Sequence, residues 1–114
     1  MAWECYMVEY AGQTEPELFE DGGSFSHAQW KLADGTIVQI DGLRPGAMWF
    51  DDDCGLCVLL PCKIIWHPDR SDRTWKRTGD PPNVTITPSI NAVGTYHGYL
   101  TNGALTDDLE GRTF

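Results

Sequence analysis

Nowhere in the 114 residues does an apolar run approach the roughly eighteen that a membrane-crossing helix requires, so no membrane partner is expected. No segment keeps a 3.6-residue apolar period over about eleven residues or more, which removes long amphipathic helices from the expectation. Basic residues are scarce: eight Lys and Arg stand against seventeen Asp and Glu, for a net charge of -9. The one basic cluster, Arg70, Arg73, Lys76 and Arg77, is interleaved with Asp69 and Asp72. Affinity for a phosphate backbone comes from Lys and Arg, so nucleic acid is disfavoured and a neutral or basic partner fits better. The start, Met1-Ala2-Trp3-Glu4, has no basic stretch followed by an apolar block, so a secretory signal is not expected. Cysteine is limited to Cys5, Cys54, Cys57 and Cys62; without secretion these read as thiols or metal thiolates in a reducing compartment. There is no internal repeat, low-complexity tract or linker, and the length suits a single domain, residues 1–114, with one core.

What the chain does have is short strand-like runs separated by Gly, Pro, Asn and Asp. Trp3 to Tyr10 alternates as a strand, and an acidic, glycine-rich loop follows in which Leu18 and Phe19 make one helical turn at most. AQWKL-ADG-TIVQI is a hairpin signal, because Asp34-Gly35 supplies the positive φ that a tight turn needs. Ala47 to Phe50 resumes a strand. Asp51 to His67 moves from a charged turn into the most apolar run of the chain, with Pro61 calling for an edge position or a bulge. Trp75 to Leu105 holds two or three further strands and a second hairpin turning at Asn102-Gly103; Thr106 to Phe114 reads as an acidic, irregular tail. The expected fold is all-β, a small antiparallel sandwich or barrel built from hairpins, with the five Trp residues filling much of its core.

Three groups of residues carry candidate chemistry. If the runs around Ser89 and His97 pair so that facing residue numbers sum to 186, the two side chains face each other at about 4.5–5.5 Å between Cβ atoms. A hydroxyl and an imidazole so placed can form a nucleophile and its base. Asp80 is the nearest acid in sequence to orient the ring, and Gly94 or Gly98 could let backbone amides approach a substrate. The competing reading has Ser89 bonding its own backbone after Pro88 and His97 as an ordinary strand residue. Cys54-x2-Cys57-x4-Cys62-x4-His67 supplies four soft ligands, the number a structural zinc takes, with a spacing near that of a zinc knuckle. Cys62 lies in an apolar run, where a thiol also serves as a small hydrophobe. Asp51-Asp52-Asp53 could meet a hard cation but lacks the alternation of a calcium loop, and three adjacent acids are usually a solvated turn.

Trp75, Gly79-Asp80, Thr87-Pro88-Ser89-Ile90 and the run His97-Gly98-Tyr99-Leu100-Thr101-Asn102-Gly103 resemble a small bacterial and bacteriophage family, mostly of unknown function. Some members accompany bacterial ubiquitin-like conjugation systems and are regarded as unconventional serine peptidases. Pro45 to Phe50 resembles the lead-in of phage members. The resemblance spans roughly residues 45 to 105 and implies catalytic roles for Ser89 and His97, with Gly79-Asp80 matching the family's Gly-Asp pair. It implies a protein substrate or partner, and a place in the cytoplasm of a bacterial host or in a virion. The other expectation it allows is a non-enzymatic phage protein, either a capsid decoration protein or a host-interaction module, that associates with itself or with a shell. Tyr96 stands where phage members often carry Cys, and a later D-C-T-H-like segment is missing, so Cys54 and Cys57 lack those members' further ligands.

Overall fold

The computed structural model describes residues 3–70, 76–92 and 94–114. Trp75 and Arg73 lie outside them. In chain order the strands are β1 (Trp3–Glu4), β2 (Tyr6–Met7), β3 (Glu9–Gln13), β4 (Glu17–Leu18), β5 (Ser24–Phe25), β6 (Ala28–Lys31) and β7 (Ile37–Val38). They continue with β8 (Ala47–Asp51), β9 (Gly55–Leu59), β10 (Ile65–Trp66), β11 (Lys76–Thr78), β12 (Thr85–Ala92), β13 (Tyr96–Thr101) and β14 (Ala104–Leu105). The only helical segments among the described residues are short 3-10 turns at Ile40–Gly42 and Pro68–Arg70. The all-β expectation holds.

The strands form several sheets, three of them packed as layers, and no closed barrel forms among the described residues. A five-stranded sheet runs β1-β14-β13-β12-β11, a central four-stranded sheet β10-β9-β8-β2, and a three-stranded sheet β3-β6-β7. Side chains on a strand alternate between faces, and here both faces of the central sheet are covered. Met48, Leu56 and Val58 pack toward the five-stranded sheet with Ile86, Ile90, Tyr96, Leu100 and Leu105. Ala47, Trp49, Cys57 and Leu59 pack the other way, with Val8, Trp30 and Leu43. Burial on both faces explains the unbroken apolar run of β9. Each fully buried Leu, Ile or Val contributes roughly 1.5–3 kcal/mol, so a one-residue slip of β9 would exchange two filled faces at once.

The N-terminal strands β1, β2 and β3 enter one layer each. Trp3 pairs with Leu105, Tyr6 and Met7 run parallel to Ala47 and Met48, and Tyr10 pairs with Trp30. The β2–β8 pair is the one departure from antiparallel pairing among the described strands. Pro61 does not sit in a bulge: β9 ends at Leu59, a turn follows, and Ile65 and Trp66 fold back onto Leu59 and Val58. Asn102-Gly103 makes the predicted two-residue hairpin, and Asp34-Gly35 turns the β6–β7 pair. Leu18 and Phe19 form no helical turn; Glu17–Leu18 and Ser24–Phe25 pair as a small projecting hairpin. No helix among the described residues is long and apolar enough to cross a membrane.

Candidate active site

The outer face of the five-stranded sheet carries the candidate chemistry. Alternation on β12 buries Ile86 and Ile90 and turns Ser89 outward; on β13 it buries Tyr96, Gly98 and Leu100 and turns His97 outward. The register is not uniform. Ile86 faces Leu100, a sum of 186, but Ile90 faces Gly98 and Asn91 faces His97, a sum of 188. Ser89 is therefore not directly opposite His97, as the single register implied, but diagonal to it. The irregularity falls on Thr87-Pro88-Ser89, where proline, lacking an N–H, could not serve a continuous ladder. Bulges re-aim side chains, and this one delivers Ser89 Oγ to 3.2 Å from His97 Nε2.

The acid beside His97 is not Asp80. Asp80 lies in the turn before β12, where its carbonyl accepts the Asn83 N–H at 2.8 Å. Four residues of strand, about 13 Å at the usual rise, separate Thr85 from Ser89. The carboxylate near the ring belongs to Glu110, whose Oε2 is 3.6 Å from His97 Nδ1. That is longer than a formed hydrogen bond, within the looseness common to catalytic contacts before substrate binds. An Nδ1–H directed at Glu110 leaves Nε2 unprotonated toward Ser89, the tautomer a general base requires.

The segment after β14 positions this group. Asp108, 6% exposed, accepts the His97 backbone N–H at 2.7 Å and the Arg112 guanidinium at 3.0 Å on one oxygen, and the Arg112 N–H at 2.8 Å on the other. The Leu109 N–H donates to the His97 carbonyl at 2.7 Å, so both main-chain groups of His97 are bound by the tail. Arg112 Nη2 also reaches Glu110 at 3.7 Å. Burial pushes the Asp108 carboxyl up, but the N–H groups of Arg112 and His97 and the Arg112 charge outweigh it, and the net shift is downward. A carboxyl depressed in the folded state stabilises above its unfolded pKa, and that stability is lost as pH falls through the folded value. Acidification below the ordinary carboxylate range should therefore release the tail before the core unfolds, read as loss of amide-exchange protection at His97 and Leu109 while Leu56–Leu59 stays protected.

No protein-family model matches the chain, and no curated protein or solved structure matches it. Gly98 does not open backbone to a substrate: a Cβ there would run into the Tyr96 hydroxyl and Thr106 Oγ1, so the space is already filled. The Tyr96 hydroxyl donates to the Thr106 carbonyl at 2.7 Å, which starts the tail on its course toward His97. Gly94 is exposed at the β12–β13 turn, with a φ of 80°.

The four soft ligands are not brought together. Cys57 Sγ lies 3.3 Å from His67 Nδ1, and Cys54 packs at the same core cluster as Cys57, but Cys62 packs against the opposite cluster, the one that also includes Cys5. The cause is the turn at Pro61, which reverses the chain between Cys57 and Cys62. Among the described residues no group of three or more His, Cys, Asp or Glu has metal-holding geometry. Burial, with the nearby Asp51, Cys54 and Asp69, raises the Cys57 thiol to about 11, and burial raises Cys5 to about 12; neither is a thiolate nucleophile at neutral pH. Asp51 Oδ1 accepts the N–H groups of Asp53 and Cys54, the pattern of a self-satisfied turn.

Sequence reasoning missed Glu110, Asp108 and Arg112. Their only signal is the i, i+4 spacing of Asp108 and Arg112 in a stretch with no strand period, and nothing in that stretch points to β13.

Proposed function

We propose that the chain is a serine hydrolase of the peptidase type, with Ser89 as nucleophile, His97 as general base and acid, and Glu110 as the carboxylate that orients His97. The observation that carries this reading is the 3.2 Å approach of Ser89 Oγ to His97 Nε2 on a solvent-facing sheet surface, with a carboxylate beside Nδ1. In acyl transfer, Oγ bonds to the substrate carbonyl carbon while its proton passes to Nε2 and the carbonyl π electrons move to oxygen. Collapse of that intermediate expels the amine, which takes the proton from Nε2, and water repeats the sequence to release the acid. Sheet-face placement suits an extended polypeptide, and the resemblance to peptidases that trim ubiquitin-like proteins supports a protein substrate, of ubiquitin-like or phage origin, met in the bacterial cytoplasm. The test is active-site labelling with a fluorophosphonate, which bonds to an activated serine.

A second reading has one observation in its favour. The β4–β5 hairpin projects with Leu18 83% exposed and Phe19 and Phe25 each 51% exposed, and an isolated two-stranded hairpin is marginal in water. Such an arm fits a non-enzymatic phage protein that docks on a shell or on its own copies. If so, the protein co-purifies with particles, and Leu18→Ser with Phe25→Ser releases it without unfolding it. Absence from purified particles together with a monomeric state by light scattering would count against it.

A further inference from the structure

Where the central and three-stranded sheets meet, three aromatic side chains stand steeply inclined to one another. Tyr10 meets Trp30 with ring centres 5.9 Å apart and planes at 70°, and Trp30 meets Trp49 at 5.1 Å and 62°. The period of two on β8 places Asp51 on the same face as Trp49. Two adjoining cavities open around this group. One, of about 220 Å³, is bounded by all three aromatics with Asp51, Cys57 and His67; the other, of about 480 Å³, shares Tyr10, Trp49 and Asp51 and adds Glu9, Asp52 and Asp53.

The chemistry of these walls selects a cation. Aromatic faces are negative and attract ammonium or guanidinium groups, most strongly where water is partly excluded. The N–H groups of Asp53 and Cys54 hold the Asp51 carboxyl below its usual range, so it stays charged. Glu9, Asp52 and Asp53 add further acids at the mouth, and His67 lies near Asp51. Trp30 is 4% exposed, and its indole N–H has no hydrogen-bond partner among the described residues. Buried donors are nearly always paired, so the Trp30 N–H marks a place in this wall where hydrogen bonding is incomplete. Guanidinium is planar, weakly hydrated and able both to stack on rings and to bind a carboxylate with two N–H groups.

We propose that these joined cavities form a second binding site, separate from the Ser89–His97 face, for an arginine side chain of a partner polypeptide. The experiment titrates the full ¹⁵N-labelled chain with acetyl-triarginine amide and with acetyl-tricitrulline amide, which has the same shape and no charge, and follows the indole N–H signals. The Trp30 and Trp49 signals shift saturably with the arginine peptide and about tenfold more weakly with citrulline. Asp51→Asn keeps the acceptor for the turn and weakens arginine binding about tenfold, and Asp52→Asn, which alters only the mouth, weakens it less. Ser89→Ala binds as tightly as the wild type, so the outcome is independent of the hydrolase reading. Equal shifts with citrulline, no shift, or unchanged affinity in folded Asp51→Asn and Asp52→Asn would overturn the proposal. A trilysine peptide that binds more tightly than triarginine would overturn the choice of guanidinium.

Discussion

A fluorophosphonate labels the wild-type chain once, and Ser89→Ala abolishes that labelling. The expectation rests on position: Ser89 Oγ is 3.2 Å from the one imidazole nitrogen that can take its proton. Without a base, a serine hydroxyl is a weak nucleophile at neutral pH. Removing the nucleophile or the base of such a group costs about 10⁴–10⁶ in turnover, and His97→Ala should therefore fall nearly as far as Ser89→Ala. Glu110→Gln should cost much less, roughly 10- to 100-fold, because its carboxylate is 52% exposed and screened by water. Asp108→Asn separates positioning from chemistry: it lowers turnover by loosening His97, and the loss grows with temperature as the tail detaches. Labelling that survives Ser89→Ala would place the nucleophile elsewhere and end the hydrolase reading. Intact labelling in Glu110→Ala would remove only the orienting role of Glu110.

Val8→Pro destabilises the protein by about 3 kcal/mol or more, a large share of the roughly 5–15 kcal/mol that holds a domain of this size. Val8 lies between β2 and β3, where the N-terminal strand passes from the central sheet to the three-stranded sheet. Its N–H donates to the Met48 carbonyl at 2.8 Å, and its side chain is 7% exposed in the second core cluster. Proline removes the donor and leaves the Met48 carbonyl without it. Val8→Ala is the control, since it empties part of the side-chain volume but keeps the bond, and should cost less. Urea midpoints for both variants decide the matter. A proline variant no worse than the alanine variant would show that the layers do not depend on this crossing.

Much of the fold was legible because β structure writes its period into sequence. Strand-like runs bounded by turn residues marked β8, β12 and β13, and Asp34-Gly35 and Asn102-Gly103 marked two turns, since few other residue types reach positive φ. The third layer was not legible. Leu56 to Leu59 is apolar on both faces, which states that both are covered but not by what. The diagonal placement of Ser89 was likewise hidden. Pro88 announces a break in the ladder, whereas the size of the register shift depends on how Ile86 and Ile90 seat against Leu100 and Gly98. The cysteine spacing could not show the turn that sends Cys62 to a different core cluster from Cys57.

By itself the sequence determined an all-β chain, an acidic surface, and a serine and a histidine on neighbouring strands that alternation turns to the same side. These follow from local rules, the period of two and the chemistry of turns. Only the tertiary structure decided which carboxylate lies beside the histidine, where the cysteines go, and that the N-terminal strands β1, β2 and β3 enter three different sheets. Each of those depends on contacts between residues far apart in the chain. The bond between Asp108 and the His97 backbone forms because buried polar groups must find partners, and which partner lies within reach is settled by packing.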